Sequence, residues 1–325
     1  MTQVQTARGP VGSDSLGVTL MHEHVFILSP EVRENYPQEY PNGWDEDELV
    51  DSAITKLTEL AGRGCQTILD PTVLGMGRNV HLIRRVADGT DLNIIMATGL
   101  YTYNDVPFYF HYRLPGPGSA DPMTALFVRD IQTGIGDTGV KAAFLKCAVD
   151  EPGLTPGVER VLRAVSRAHA ETGAPITVHT HPGSGTGREV VRVLREEGAD
   201  LTKVVLGHSG DTTDLDYLTE LADQGVLLGM DRFGLDLFNP TAERVKTIAM
   251  MASRGYAGSM VLAHDANCFI DYFGGAHDAA RPVALPNWHY EHITDDVLPA
   301  LRGRGVTEEQ IDTMLVANPR RYFGG

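Results

Sequence analysis

Two histidines, His22 and His24, sit at the end of the apolar run Leu16-Gly17-Val18-Thr19-Leu20-Met21. In a β-strand, side chains at i and i+2 face the same way. The pair therefore brings two imidazoles close together, which is half of a metal site. A lone histidine near a strand end is commonly a packing residue, whereas a same-face pair asks for ligands elsewhere in the chain. Four candidates end or follow apolar runs in the same manner. They are Lys146 in Ala143-Phe144-Leu145-Lys146-Cys147, His179 in Pro175-Ile176-Thr177-Val178-His179, His208 in Val205-Leu206-Gly207-His208 and Asp265 in Val261-Leu262-Ala263-His264-Asp265.

Lys146 has two readings. A buried ammonium is costly and cannot ligate a metal, so the residue could ion-pair with a catalytic acid or snorkel to a rim. Alternatively, burial and nearby cations keep the amine neutral, and it adds carbon dioxide to become a carbamate, a carboxylate-like bridge between two metals. Other residues read more plainly. His181 repeats the His-x-His spacing with His179, but Pro182 puts it beyond the strand, in a loop. Alternation turns His264 away from Asp265, in a structural role. His81, His111, His169, His277, His289 and His292 fall in helices or loops, with surface roles expected. Tyr101 follows a strand as a rim aromatic, and Arg232 has Asp231 and Asp236 as near ion-pair partners.

The ligand candidates converge only if strands present them on one rim. Short runs rich in Val, Ile and Leu predict strands over Val18–His22, Thr67–Asp70, Ile94–Thr98, Ala142–Lys146, Ile176–His179, Val204–His208, Val226–Met230 and Met260–His264. Helical patterns alternate with them over Asp47–Ala61, Val80–Ala87, Pro122–Gln132, Gly157–Glu171, Gly187–Glu196, Asp214–Gln224 and Thr241–Arg254. Two more follow, Thr294–Arg302 and Thr307–Ala317. This alternation predicts a (β/α)8 barrel in one domain spanning residues 1–325, with the chemistry at the C-terminal strand ends. An open doubly wound sheet fits less well, because the first strand carries no glycine-rich phosphate loop.

Composition narrows the function classes. The chain has 325 residues, 42% hydrophobic and 22% charged, with a formal charge of −16. That excess of acid argues against nucleic acid and anionic membranes as partners. Some of it lies in Asp45-Glu46-Asp47-Glu48, suited to a helix start. Three widely spaced cysteines, Cys65, Cys147 and Cys268, form neither a disulfide framework nor a cysteine zinc site. With no signal-peptide-like or membrane-spanning apolar stretch, a cytoplasmic location is expected.

The chain resembles the amidohydrolase superfamily and, within it, the phosphotriesterase-like lactonases. The matching segments are Met21-His22-Glu23-His24, Phe144-Leu145-Lys146, Thr177-Val178-His179-Thr180, Gly207-His208-Ser209-Gly210-Asp211 and His264-Asp265. Gly99-Leu100-Tyr101, Asp105-Val106-Pro107-Phe108-Tyr109-Phe110, Asp231-Arg232-Phe233-Gly234-Leu235-Asp236 and Asn318-Pro319-Arg320-Arg321-Tyr322-Phe323 also match. The resemblance implies two divalent metal ions per chain, zinc first, with cobalt, manganese or iron as alternatives. His22, His24 and Asp265 would hold the more buried ion and His179 and His208 the more exposed one, bridged by N6-carboxylated Lys146 and a hydroxide. Tyr101 would reach over the metals, and Arg232 would orient substrate at the mouth.

The implied chemistry is attack of the hydroxide on a lactone carbonyl, with Tyr101 steadying the oxyanion and Asp265 passing a proton to the leaving alkoxide. The segment after Asp265 is long and holds Phe269, Ile270, Tyr272, Phe273 and Trp288, which suits an acyl chain. Cys268, in the same segment, reads as an inert pocket wall. The expected substrates are the quorum-sensing N-acyl-homoserine lactones, with organophosphate triesters as a side reaction. Phosphotriester hydrolysis proper, other γ- or δ-lactones, amide or cyclic-imide hydrolysis and a non-catalytic binding role stay open. The aromatic stretch Tyr101 to Tyr112 serves either the substrate or the interface of an expected homodimer.

Overall fold

Each β-branched run pairs with its neighbour because a strand buried on both faces can satisfy its backbone only through a ladder. The computed structural model describes residues 2–40, 44–116, 119–273 and 281–324. Eight parallel strands follow one another around the sheet: β1 Thr19–Leu20, β2 Thr67–Asp70, β3 Asn93–Gly99, β4 Phe144–Val149, β5 Ile176–Thr180, β6 Val204–Gly207, β7 Leu227–Met230 and β8 Met260–Leu262. The Met21 amide donates to the Leu262 carbonyl at 3.1 Å, and the Asp265 amide to the His22 carbonyl at 3.0 Å. These two bonds close the barrel between its first and last strands.

Side-chain alternation separates two cores. Leu69, Ile95, Phe144, Val205, Leu227 and Val261 pack inside the barrel, while Ile68, Leu145, Val178, Leu206 and Leu228 pack outward against the helices. The antiparallel hairpin of Gln3–Thr6 and Gly9–Gly12 brings Val4 to the inner cluster, and the chain end adds Tyr322 and Phe323. The Tyr322 hydroxyl bonds Thr177 Oγ1 at 2.9 Å, below His179 on β5. One end of the barrel is thereby plugged with apolar side chains, and polar groups inside collect at the other.

Helices over Glu46–Gly62, Val80–Asp88, Pro122–Gln132, Pro156–Thr172, Thr186–Glu196, Leu215–Ala222 and Thr241–Ser253 lie between the strands. Asp45 caps the first of them by accepting from the Asp47 and Glu48 amides, so the acidic run does serve a helix start. The last two helical stretches depart from expectation. Ile293–Val297 and Thr313–Ala317 are π-helical turns, each leading into an α-helical segment, Leu298–Gly303 and Asn318–Tyr322. Pro299 and Pro319 stand near the start of those segments. A proline has no N–H to give and collides with the carbonyl four residues back, and the wider turn relieves both. Among the described residues no helix is long and apolar enough to cross a membrane.

Candidate metal centre

The rim residues arrive by routes that differ from the sequence expectation. His22 and His24 do not finish the first strand, because β1 stops at Leu20. His22 lies in a bend, and His24 opens a short strand, His24–Ile27, that pairs with Asn267–Ile270. The cause is Glu23, fully buried between them. Its Oε1 accepts from the His264 amide at 2.7 Å and its Oε2 from the Ala266 amide at 3.1 Å, which draws the chain across to the end of β8. Both imidazoles nevertheless face one carboxylate: His22 Nε2 lies 3.4 Å and His24 Nε2 3.2 Å from Asp265 Oδ1.

Lys146 is the third residue of β4, not its last, because the strand runs on through Cys147-Ala148-Val149 and pairs Ala148 with His179. It shares the inward face with Phe144 and is buried, with Nζ 3.3 Å from His22 Nε2. Burial pulls its amine down to about 8. β6 ends one residue before His208 and β8 two before His264. Beyond those ends the backbone is strained. Among the described residues, the non-glycine positions with positive φ are His208, Arg232 and Asp265, at 65°, 60° and 54°. All three belong to this rim, where such conformations are held by their surroundings.

A second layer of carboxylates sets the tautomers. Asp231 Oδ1 accepts from His208 Nδ1 at 2.8 Å and Oδ2 from His22 Nδ1 at 3.1 Å, and the His208 amide donates to the same carboxylate. Burial alone would raise the Asp231 pKa, but His208 and His22 hold it well below the carboxylate range. Gly229 makes room for it, since a Cβ there would fall 3.0 Å from Asp231 Oδ2 and 2.9 Å from the Gly207 Cα. His24 Nδ1 bonds Thr72 Oγ1 at 2.7 Å, and that hydroxyl donates in turn to Asp70. His179 is reversed, with Nε2 3.1 Å from Asp150 Oδ2 and Nδ1 inward.

Burial lowers the pKa of His22, that of His179 to about 4, and that of His208 well below the imidazole range. With the outer nitrogens carrying the protons, His179 Nδ1 and His208 Nε2 present lone pairs to one another at 2.9 Å. Two unprotonated nitrogens that close repel unless a cation lies against them. This donor set fits a divalent ion. The ligand atoms of His22, His24 and Asp265 lie within 4.8 Å of one another. His22, His208 and Asp231 are as close, but Asp231 is occupied with the outer nitrogens and acts as their acceptor.

Arg232 pairs with neither Asp231 nor Asp236. Its Nη1 donates to Asp211 Oδ2 at 2.7 Å and its Nε to Asp265 Oδ2 at 3.3 Å. Asp231 points inward by strand alternation, and Asp236 is engaged by the Thr241 amide. Buried Arg244 donates to the other oxygen of Asp211 at 2.7 Å. The Tyr101 hydroxyl lies 3.0 Å from His179 Nδ1 and 2.5 Å from the Tyr103 hydroxyl. Burial, with Tyr103 adjacent, pushes its pKa well up, so it stays a protonated donor.

Sequence reasoning missed Asp231, Asp150, Asp211 and Glu23. Asp231 follows β7 as Asp265 follows β8, so the strand-end rule already applied to it. Asp150 was hidden by ending β4 too early. Two histidines assigned to the surface are buried. His169 spans the Ala174 carbonyl and the Asp200 amide, and His292 bonds Asp296. His181 and His264 take the structural places expected, against Ser184 and against Glu23 with the Ile293 amide. His277 lies outside the described residues.

Above the rim opens a cavity of ≈ 540 Å³ with a largely apolar wall, including Leu235, Ile270, Tyr272, Phe273 and Trp288. Phe269 is not part of it and packs on Trp44, ring centres 5.9 Å apart. Nor is Cys268, whose thiol lies 3.3 Å from the Tyr290 hydroxyl and is pushed up to about 12 by burial. The aromatic stretch divides: Tyr101 and Tyr103 face the cavity, while Phe108, Tyr109 and Tyr112 are exposed.

A (β/α)8 barrel that gathers imidazoles, a carboxylate and a buried lysine at its C-terminal rim belongs to the class of metal-dependent hydrolases. Residues 2–323 match the model of the phosphotriesterase family. The chain is 58% identical to a "phosphotriesterase homology protein" of Mycobacterium tuberculosis, over 99% of this chain and 98% of the relative. It is 40% identical to an "aryldialkylphosphatase" of Saccharolobus solfataricus, over 96% of this chain and 98% of the relative. A solved structure described as molecular engineering of organophosphate hydrolysis activity from a weak promiscuous lactonase template superposes with TM-score 0.89 and 36% identity, over the full length of both chains. The chain belongs to the phosphotriesterase family. That is a family of binuclear metal enzymes, hydrolases that act on esters and lactones.

Proposed function

We propose that this hydrolase opens the ring of N-acyl-homoserine lactones, giving the N-acyl-homoserine, with organophosphate triesters as a side reaction. The observation that carries the reading is the apolar wall running outward from the ligand cluster through Ile270, Tyr272 and Phe273, which suits an acyl chain rather than a compact phosphoryl group. The relative described as a lactonase template supports the ring-opening activity, and the aryldialkylphosphatase relative supports the side reaction.

His22, His24 and Asp265 would hold one divalent ion and His179 and His208 the other. Lys146, N-carboxylated by carbon dioxide with release of a proton, would bridge them. Zinc suits these ligands, with cobalt, manganese or iron as alternatives. When bound, such ions supply a hydroxide at neutral pH and polarise the carbonyl under attack. The chain's own groups do the rest. Tyr101 donates its hydroxyl to the developing oxyanion. Asp265 carries a proton to the ring oxygen as the ester bond breaks, so that water is added across it. Arg232, bonded to Asp265 Oδ2 and Asp211, holds that carboxylate toward the mouth. The exposed side chains of Phe108, Tyr109 and Tyr112 support a homodimer as the working form.

The substrate assignment is tested by kcat/KM in zinc-reconstituted protein. A long-chain N-acyl-homoserine lactone should exceed a diethyl aryl phosphotriester by at least about tenfold, or ~1.4 kcal/mol of transition-state stabilisation. A higher value for the triester overturns the lactone as the main substrate.

A further inference from the structure

Asn267 is the polar exception in the apolar wall. It opens the strand Asn267–Ile270, sits beside His24 in the ladder, and is 8% exposed on the cavity. Its Oδ1 accepts from Arg281 Nη1 at 3.0 Å. A guanidinium has only donors, so the amide must turn its oxygen to Arg281 and its NH2 the other way. The Arg281 guanidinium is itself 5.7 Å from the Trp288 ring centre, over its face. Among the described residues the Asn267 Nδ2 has no hydrogen-bond partner, and because the residue lines the open cavity this donor is free for a molecule bound there.

The order of groups along this one segment matters. Asp265 stands with the ligand cluster, Asn267 comes next, and Ile270, Tyr272 and Phe273 continue the wall. An N-acyl-homoserine lactone has the same order: a ring ester, an amide one bond away from the ring, then an alkyl chain. We propose that Asn267 Nδ2 donates to the amide carbonyl of the substrate. The residue, fixed by Arg281, thereby selects amide-substituted lactones over plain alkyl lactones. The inference rests on the lactonase reading and goes further by naming the group that is read.

The test is a ratio: kcat/KM for an N-acyl-homoserine lactone over kcat/KM for an alkyl γ-lactone of similar chain length. Asn267→Leu removes the donor, and Asn267→Asp replaces it by an acceptor while keeping the shape and the Arg281 contact. Both should lower the ratio about five- to tenfold, the worth of one neutral hydrogen bond. Arg281→Met, which frees the amide to flip, should lower it less. Dividing the two substrates cancels any general damage to metal binding or folding. An unchanged ratio in both Asn267 variants overturns the inference and leaves the lactonase reading intact. Wild-type protein that turns over neither lactone overturns that reading and the inference with it.

Discussion

Lys146→Ala should abolish lactone hydrolysis, with kcat/KM falling by about a thousandfold or more, and the purified protein should bind at most one ion per chain. The magnitude follows from the several kcal/mol that a second ion contributes to stabilising developing charge. Folding should survive. Lys146 is buried beside His22 and, among the described residues, has no carboxylate within ion-pair distance, so its removal relieves a buried amine and leaves a small cavity. The melting temperature of the metal-free protein should therefore change little. Lys246→Ala is the control, since that lysine is exposed and paired with Glu243 at 3.2 Å, and it should behave as wild type. Full activity in Lys146→Ala would refute the bridging role.

Asp231→Asn should be the most damaging change among residues that touch no substrate. One carboxylate accepts from two imidazoles that the proposed ligand set assigns to different ions, and from the His208 amide. An asparagine keeps the shape but has a single acceptor oxygen. Either His22 or His208 must then face an NH2 group and lose its tautomer. A single partner of this kind is worth about 10–100-fold in metal affinity or activity, and that loss is expected here for one ion more than for the other. Asp231→Ala, which releases both rings, should exceed it and should also destabilise the fold by ~1–3 kcal/mol through unpaired buried donors. Metal titration by calorimetry separates the cases: two sites weakened unequally in Asn, both weakened in Ala. Unchanged affinities in both variants would contradict the orienting role.

The sequence was legible where chemistry and alternation coincide. β2, predicted over Thr67–Asp70, stands at those residues, and Pro122–Gln132 is a helix as expected. All six ligand candidates meet on one rim. What was not legible is set by partners distant in sequence. Composition cannot say where β4 stops, because its last residues are fixed by pairing with His179 and Thr180 of β5. The break after Leu20 depends on Glu23 reaching the His264 and Ala266 amides. Asp231 and Asp265 look alike in sequence, both following a strand. Only the geometry makes one an acceptor for ring N–H groups and leaves the other facing two Nε2 atoms. The π-turns needed attention to Pro299 and Pro319 inside otherwise regular helical patterns.

The central claim is that the imidazoles, Lys146 and Asp265 form a centre for two ions on which hydrolysis depends. It is tested most directly by adding zinc back to metal-free protein in the presence of bicarbonate while following hydrolysis of an N-acyl-homoserine lactone. Activity should rise from background and level off at two ions per chain. Undiminished hydrolysis by the metal-free protein, or a plateau at a single ion, would contradict it.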